Sequence, residues 1–117
     1  MAASNIPLLT GATLLTDASA AAVVVVKASS AVIYELELDN TANAAVTYLR
    51  LYNATTATIG STVFDSLVLV PASTKITVVL PGGVTFGTGL CYAATTSATI
   101  ATTTAPSSAF AIKIVYV

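Results

Sequence analysis

The chain has 117 residues, of which 56% are hydrophobic and only 8% charged, with a net charge of −1. Its four basic residues, Lys27, Arg50, Lys75 and Lys113, are scattered, so no cationic cluster exists to displace counterions and a nucleic-acid partner is not expected. Histidine is absent, which removes imidazole bases, Ser-His-Asp triads and the commonest metal ligand together.

A chain of this length needs one hydrophobic core, so a single domain is expected. Globular domains average about 25% charged residues. Here Thr, Ser and Asn must supply most of the polar surface, and such a surface is poorly protected against association. Much of the exterior therefore reads as covered by other subunits. The start, MAASNIPLLTGATLL, lacks a basic n-region and a continuous apolar h-region, so no secretory leader is expected. The most apolar run, 18–26, is far short of the ~18–20 residues a spanning helix needs. Membrane-barrel strands alternate lipid and lumen faces between aromatic girdles, whereas several runs here are apolar on both faces and Trp is absent. No membrane partner is expected. Cys91 is the single cysteine, which fits assembly in a reducing cytosol.

Residues 1–16 read as an extended arm, opened by Asn5-Ile6-Pro7 because Pro biases its predecessor towards extended geometry. Residues 17–117 read as one β-sandwich domain. Helix is the local rival across 18–22, since Ala is the best helix former, but the Val23–Val26 run argues for a strand over 21–28. In residues 31–39, AVIYELELD, strict alternation places Val32, Tyr34, Leu36 and Leu38 on one face and Ile33, Glu35, Glu37 and Asp39 on the other. Residues 40–43 have turn composition. Strand 45–53 carries Thr47, Leu49 and Leu51 against Tyr48, Arg50 and Tyr52.

A polar connection follows over 54–62, with room for a short strand at Thr58-Ile59. Strand 64–70 is apolar on both faces at its end, which predicts a central position. After a turn at 71–73, strand 74–80 alternates Ile76, Val78 and Leu80 against Lys75, Thr77 and Val79. Pro81-Gly82-Gly83 reads as a further turn, with short strands at 84–86 and 90–95 after it. Residues 96–108 read as a long Thr/Ala/Ser-rich loop, and 109–117 as a closing strand with Phe110, Ile112, Ile114 and Tyr116 on one face. About eight or nine strands without a convincing helix predict an all-β fold: an antiparallel two-sheet β-sandwich or jelly roll.

No catalytic constellation is found, so an enzyme is not expected, and neither is a cofactor or a metal site. Cys91 sits between Leu90 and Tyr92 on a strand with no base beside it, and reads as a small core residue. Glu35, Glu37 and Asp39 stand about 6.5–7 Å apart along one strand face. One cation is not easily held by all three at Ca–O distances of about 2.4 Å, so a solvated or inter-subunit face is the plainer reading. The glycines at 82, 83, 87 and 89 lack the Lys-Ser/Thr and the helix of a phosphate loop and read as turn punctuation. Asn53-Ala54-Thr55 matches a glycosylation sequon, which means little without a leader. Tyr48, Arg50 and Tyr52 are either an interface anchor or a packed face with the guanidinium lying over aromatic rings.

The run Tyr48-Leu49-Arg50-Leu51-Tyr52-Asn53, then Val70-Pro71-Ala72 and Pro81-Gly82-Gly83-Val84-Thr85-Phe86-Gly87-Thr88-Gly89-Leu90, resembles small β-sandwich proteins of tailed bacteriophage virions. The resemblance covers about residues 45–117 and leaves 1–39 unmatched. It implies a non-enzymatic virion component, above all a capsid decoration (cement) protein on the outside of the shell. The implied partners are the major capsid protein and further copies of this chain, a trimer foremost, after synthesis in the bacterial cytoplasm. Tail, neck or fibre-base protein is the next reading, and a host- or carbohydrate-binding module a third. The expected contact residues are Asn5, Ile6, Pro7, Leu8 and Leu9 of the arm, with Tyr48, Arg50 and Tyr52.

Overall fold

The computed structural model describes residues 11–17 and 22–117. Among them the chain forms strands and no helix. The strands are β1 (Gly11–Asp17), β2 (Val24–Lys27), β3 (Ala31–Asp39), β4 (Thr47–Tyr52), β5 (Ser66–Val70), β6 (Lys75–Phe86), β7 (Leu90–Thr95) and β8 (Phe110–Tyr116). They pair antiparallel into two sheets, ordered β1-β8-β3-β6 and β2-β7-β4-β5. Of the expected arm, residues 1–10 lie outside the described residues, while 11–16 belong to β1, which pairs with β8. Residues 18–21, where helix competes with strand on propensity, also lie outside them.

The two sheets face each other across one apolar core. Ile33, Leu36 and Leu38 of β3 and Phe110, Ile112 and Ile114 of β8 meet Leu49 and Leu51 of β4 and Leu90, Tyr92 and Ala94 of β7. The period of two that marks a half-buried strand holds through most of β6 and β8, whereas β4 is buried at every position but Tyr48. In β6, Ile76, Val78 and Leu80 pack on this core while Lys75, Thr77 and Val79 face out, as the alternation predicts.

Strict alternation fails in β3. Ala31 and Ile33 are buried, and so are Leu36 and Leu38, so the inward set changes parity in mid-strand. Val32 therefore does not share the core face, and Ile33 does not lie with the carboxylates. The cause is a β-bulge. Ile33 pairs with Tyr116 and Glu35 with the adjacent Val115, leaving Tyr34 as an extra residue against β8. On the other side Ile33 pairs with Val84 and Glu35 with Val79, so Leu80–Gly83 of β6 bow out of the ladder opposite Tyr34.

That bow corrects a second expectation. Pro81-Gly82-Gly83 does not end a strand; it bends one continuous strand. Gly82 and Gly83 both have φ of +79°, a backbone that L side chains rarely adopt. At Gly83 a side chain would also run into Val32 and come within 3.0 Å of the Tyr34 ring. Thr58-Ile59 is a turn rather than a strand, since the amides of Ser61 and Thr62 both donate to the Thr58 carbonyl at 3.2 and 2.9 Å. Strand β5 is an edge strand, not a central one, and Leu67 and Leu69 on its outer face are exposed.

The glycine pair separates backbone strain from packing. Gly82 has open space where a side chain would go, so Gly82→Ala meets backbone strain alone and loses about 1 kcal/mol. Gly83→Ala adds the collision with β3 and loses about 3 kcal/mol. Urea unfolding of both variants measures the difference, and equal losses would contradict this account of the bulge.

Candidate functional site

Among the described residues β5 and β6, one outer strand from each sheet, run without a further neighbour, and the sandwich is open along that side. An apolar cleft of about 120 Å³ opens there, with Ile33, Leu36, Leu51, Val68, Leu80 and Val84 among its walls. Around it lie apolar side chains in solvent: Leu67, Leu69 at 51% exposure, Val79 at 63% and Val84. Leu67 and Leu69 face out from one sheet and Val79 from the other, as single exposed aliphatics ordinarily do, so it is the apolar cleft between the two outer strands that offers a contact surface. The low charge of the chain leaves this edge without the lysines and prolines that commonly guard such strands, apart from Lys75 and Pro81 on β6.

The residues expected as interface anchors divide. Tyr48 is half-buried and lies directly opposite Leu69 in the β4–β5 ladder, so it extends the apolar edge. Arg50 and Tyr52 are fully buried under the chain's own loops and present no free surface. Nη1 of Arg50 donates to the Ile100 carbonyl at 3.3 Å, and Nη2 to the carbonyls of Ser97 and Thr99 at 3.1 and 2.6 Å. Its guanidinium lies 5.5 Å from the centroid of the Phe64 ring, the π-face that the packed reading expects from a tyrosine. Arg50 thus clamps the 96–109 loop over the outer face of β4, while Val23, Ala54, Ala57, Ile59 and Phe64 cover Cys91 and Ala93, so that β7 is buried on both faces. Among the described residues, Nε of Arg50 and the Tyr52 hydroxyl have no hydrogen-bond partner. Asn5, Ile6, Pro7, Leu8 and Leu9 lie outside the described residues.

Glu35, Glu37 and Asp39 share the outer face of β3, as expected. Glu37 accepts an ion-paired hydrogen bond from Lys75 at 2.8 Å. Lys75 holds the Glu37 carboxyl below its ordinary range, first through that hydrogen bond and then through its charge. Hydrogen bonds from the Thr41 hydroxyl and amide do the same for Asp39. No group of three or more metal-ligating side chains occurs among the described residues. Cys91 is buried, with its thiol against the Ala54 carbonyl at 3.2 Å, and burial raises its pKa. A buried thiol with a raised pKa is a poor nucleophile. Asn53 of the sequon is engaged as well, its Oδ1 accepting from the Thr88 amide at 2.8 Å.

Two asparagines in the 40–43 turn do more than turn chemistry suggests. Nδ2 of the buried Asn40 donates to the carbonyls of Ala45, Val70 and Pro71 at 3.1, 3.2 and 3.0 Å, and its Oδ1 accepts from the Thr47 hydroxyl at 2.8 Å. Asn43 donates to the Ser108 and Ala109 carbonyls and accepts the Ser108 amide at 2.8 Å. Together they tie the β3–β4, β5–β6 and β7–β8 connections into one end of the sandwich. Only their identity as Asn hints at this in sequence, because an amide is a donor and an acceptor at once.

Comparison of the chain with known protein families, with curated proteins and with solved structures finds no match.

If Arg50 acts as a loop clamp, Arg50→Met loosens a local region and leaves the sandwich whole. Hydrogen bonds to a charged group are worth about 2 kcal/mol, so amide exchange over residues 97–102 accelerates by roughly thirtyfold. Exchange in β3 and β8 stays as it was. Uniform acceleration across both sheets would contradict the clamp.

Proposed function

We propose that the protein is a non-enzymatic structural component of a bacteriophage virion, a capsid decoration (cement) protein that binds outside the shell and reinforces contacts between capsomers. The observation that carries this reading is the open apolar edge at β5 and β6 on a chain with so little charge. Such an edge favours a permanently covered place in an assembly over life as a free monomer. Stabilisation of this kind comes from area buried between subunits, and it needs no acid, base or metal.

The finer architecture in this proposal is a jelly roll with β1 as its first strand, so the arm expected over residues 1–16 is proposed only for residues 1–10 ahead of it. The orders β1-β8-β3-β6 and β2-β7-β4-β5 support it, since eight antiparallel strands are shared between two four-stranded sheets. Jelly rolls serve as viral capsid and lectin domains among other uses, so the fold is compatible with the reading without requiring it. Further support is the resemblance of residues 45–117 to small virion β-sandwiches. The proposed partners are the major capsid protein and further copies of the chain, as a trimer, with an arm that adds a strand to a neighbour.

Purified particles test the proposal. Quantitative mass spectrometry is expected to find the protein in numbers that match the capsomers, and particles lacking it are expected to rupture at lower temperature. The few copies of a neck or tail ring would move the assignment to that part of the virion. Absence from particles, or binding of the isolated protein to glycans, would overturn it.

A further inference from the structure

We infer that Nε of Arg50 and the hydroxyl of Tyr52 are the two donors of a buried site for one small monovalent anion, a halide by chemical class. Both side chains are fully buried, and among the described residues neither atom has a partner. Leaving a buried donor unpaired costs more than an ordinary hydrogen bond gains, and two such donors on one strand face call for a shared acceptor.

The strand brings them together. Arg50 and Tyr52 are alternate residues of β4 and so rise from the same face of the sheet, opposite Ala93 and Cys91 of β7. Phe64 touches both, with its ring 5.5 Å from the guanidinium and packed on the cluster that holds Tyr52. At a rise of about 3.3 Å per residue the two stems stand about 6.6 Å apart. Two hydrogen bonds of about 3 Å laid end to end span that gap. The remaining neighbours of Tyr52 are apolar: Val23, Ala54, Ala57 and Ile59.

Charge selects an anion over a water molecule. The other ends of the guanidinium bond to the carbonyls of Ser97, Thr99 and Ile100, not to a carboxylate. Among the described residues the ion pair is Glu37 with Lys75, on the other sheet. Asp65, next to Phe64, gives its Oδ2 to the Asn53 amide at 2.7 Å. The Arg50 charge is thus buried without a counterion, which is costly. Nε–H can only donate and the Tyr52 hydroxyl can donate as well, so a species that only accepts satisfies both and cancels the charge. A water would satisfy the two atoms and leave the charge as it was. The ion would hold the Nε edge of Arg50 while the three carbonyls hold the other, so it belongs to the device that keeps the 96–109 loop in place.

The test uses the full chain. Crystals grown with sodium bromide in place of chloride are expected to give an anomalous difference peak within hydrogen-bond distance of Arg50 Nε and Tyr52 Oη. No peak, a water that bromide does not replace, or a group of residues 18–21 bonded to both atoms would overturn the inference. In solution, amide exchange over residues 97–102 should be at least tenfold slower in sodium bromide than in sodium gluconate of equal ionic strength. Tyr52→Phe keeps the ring and removes one donor, so most of that difference should vanish. Exchange indifferent to bromide in the unaltered chain, or equally sensitive in Tyr52→Phe, would contradict the site. Should Tyr52→Phe fail to fold, the bromide map of the unaltered chain still decides.

Discussion

The fold depends on a change of register within β3. Its inward residues are odd-numbered at Ala31 and Ile33 and even-numbered at Leu36 and Leu38. A one-residue slip turns every later side chain to the opposite face, so without an inserted residue half of this strand would present its core set to solvent. Tyr34 is that residue. The cost falls on β6, which bows around it through Pro81, Gly82 and Gly83, and only glycine fits where the bow touches Val32 and Tyr34. Since β3 lies between β6 and β8, the bulge fixes the alignment of both neighbours.

Beyond that strand, the chain deals with its surfaces unequally. The outer face of β3, β6 and β8 is polar in the ordinary way and carries the Glu37–Lys75 ion pair with Lys113 opposite. The outer face of β4 and β7 is covered from within, by loops 53–65 and 96–109, with Arg50 holding the second through three carbonyls. The β5 and β6 edge receives neither treatment. Charged residues guard no more than part of it, no loop among the described residues closes over it, and it carries an apolar cleft beside exposed aliphatics. Reading the function as mechanical assembly starts from that asymmetry.

Alternation made much of the architecture legible, because β6 and β8 follow the period of two that a half-buried strand requires. The 96–108 loop was legible from its small polar residues. The bulge was not, since AVIYELELD alternates well on paper and parity breaks only when β8 and β6 impose their registers. Pro81-Gly82-Gly83 has the composition of a turn and the structure of a bend, a distinction set by what lies opposite. At β5 the doubly apolar run reads as a central strand, yet β5 is an outer strand with Leu67 and Leu69 exposed, because what pairs beside a strand is set by residues far along the chain. Arg50 misleads for a related reason: a lone cation on a strand reads as surface until a loop distant in sequence supplies carbonyls. Asn40 and Asn43 read as turn residues, and their role as ties between three connections depends on contacts far along the chain.

Taken together, the molecule is a sandwich with a well-tied core, one side sealed by its own loops and an open apolar edge that the proposed assembly would cover. Sedimentation equilibrium of the purified full chain at physiological salt examines that claim most directly. The account predicts a defined oligomer at micromolar concentration that dissociates on dilution. A chain that remains a soluble monomer up to millimolar concentration would contradict it.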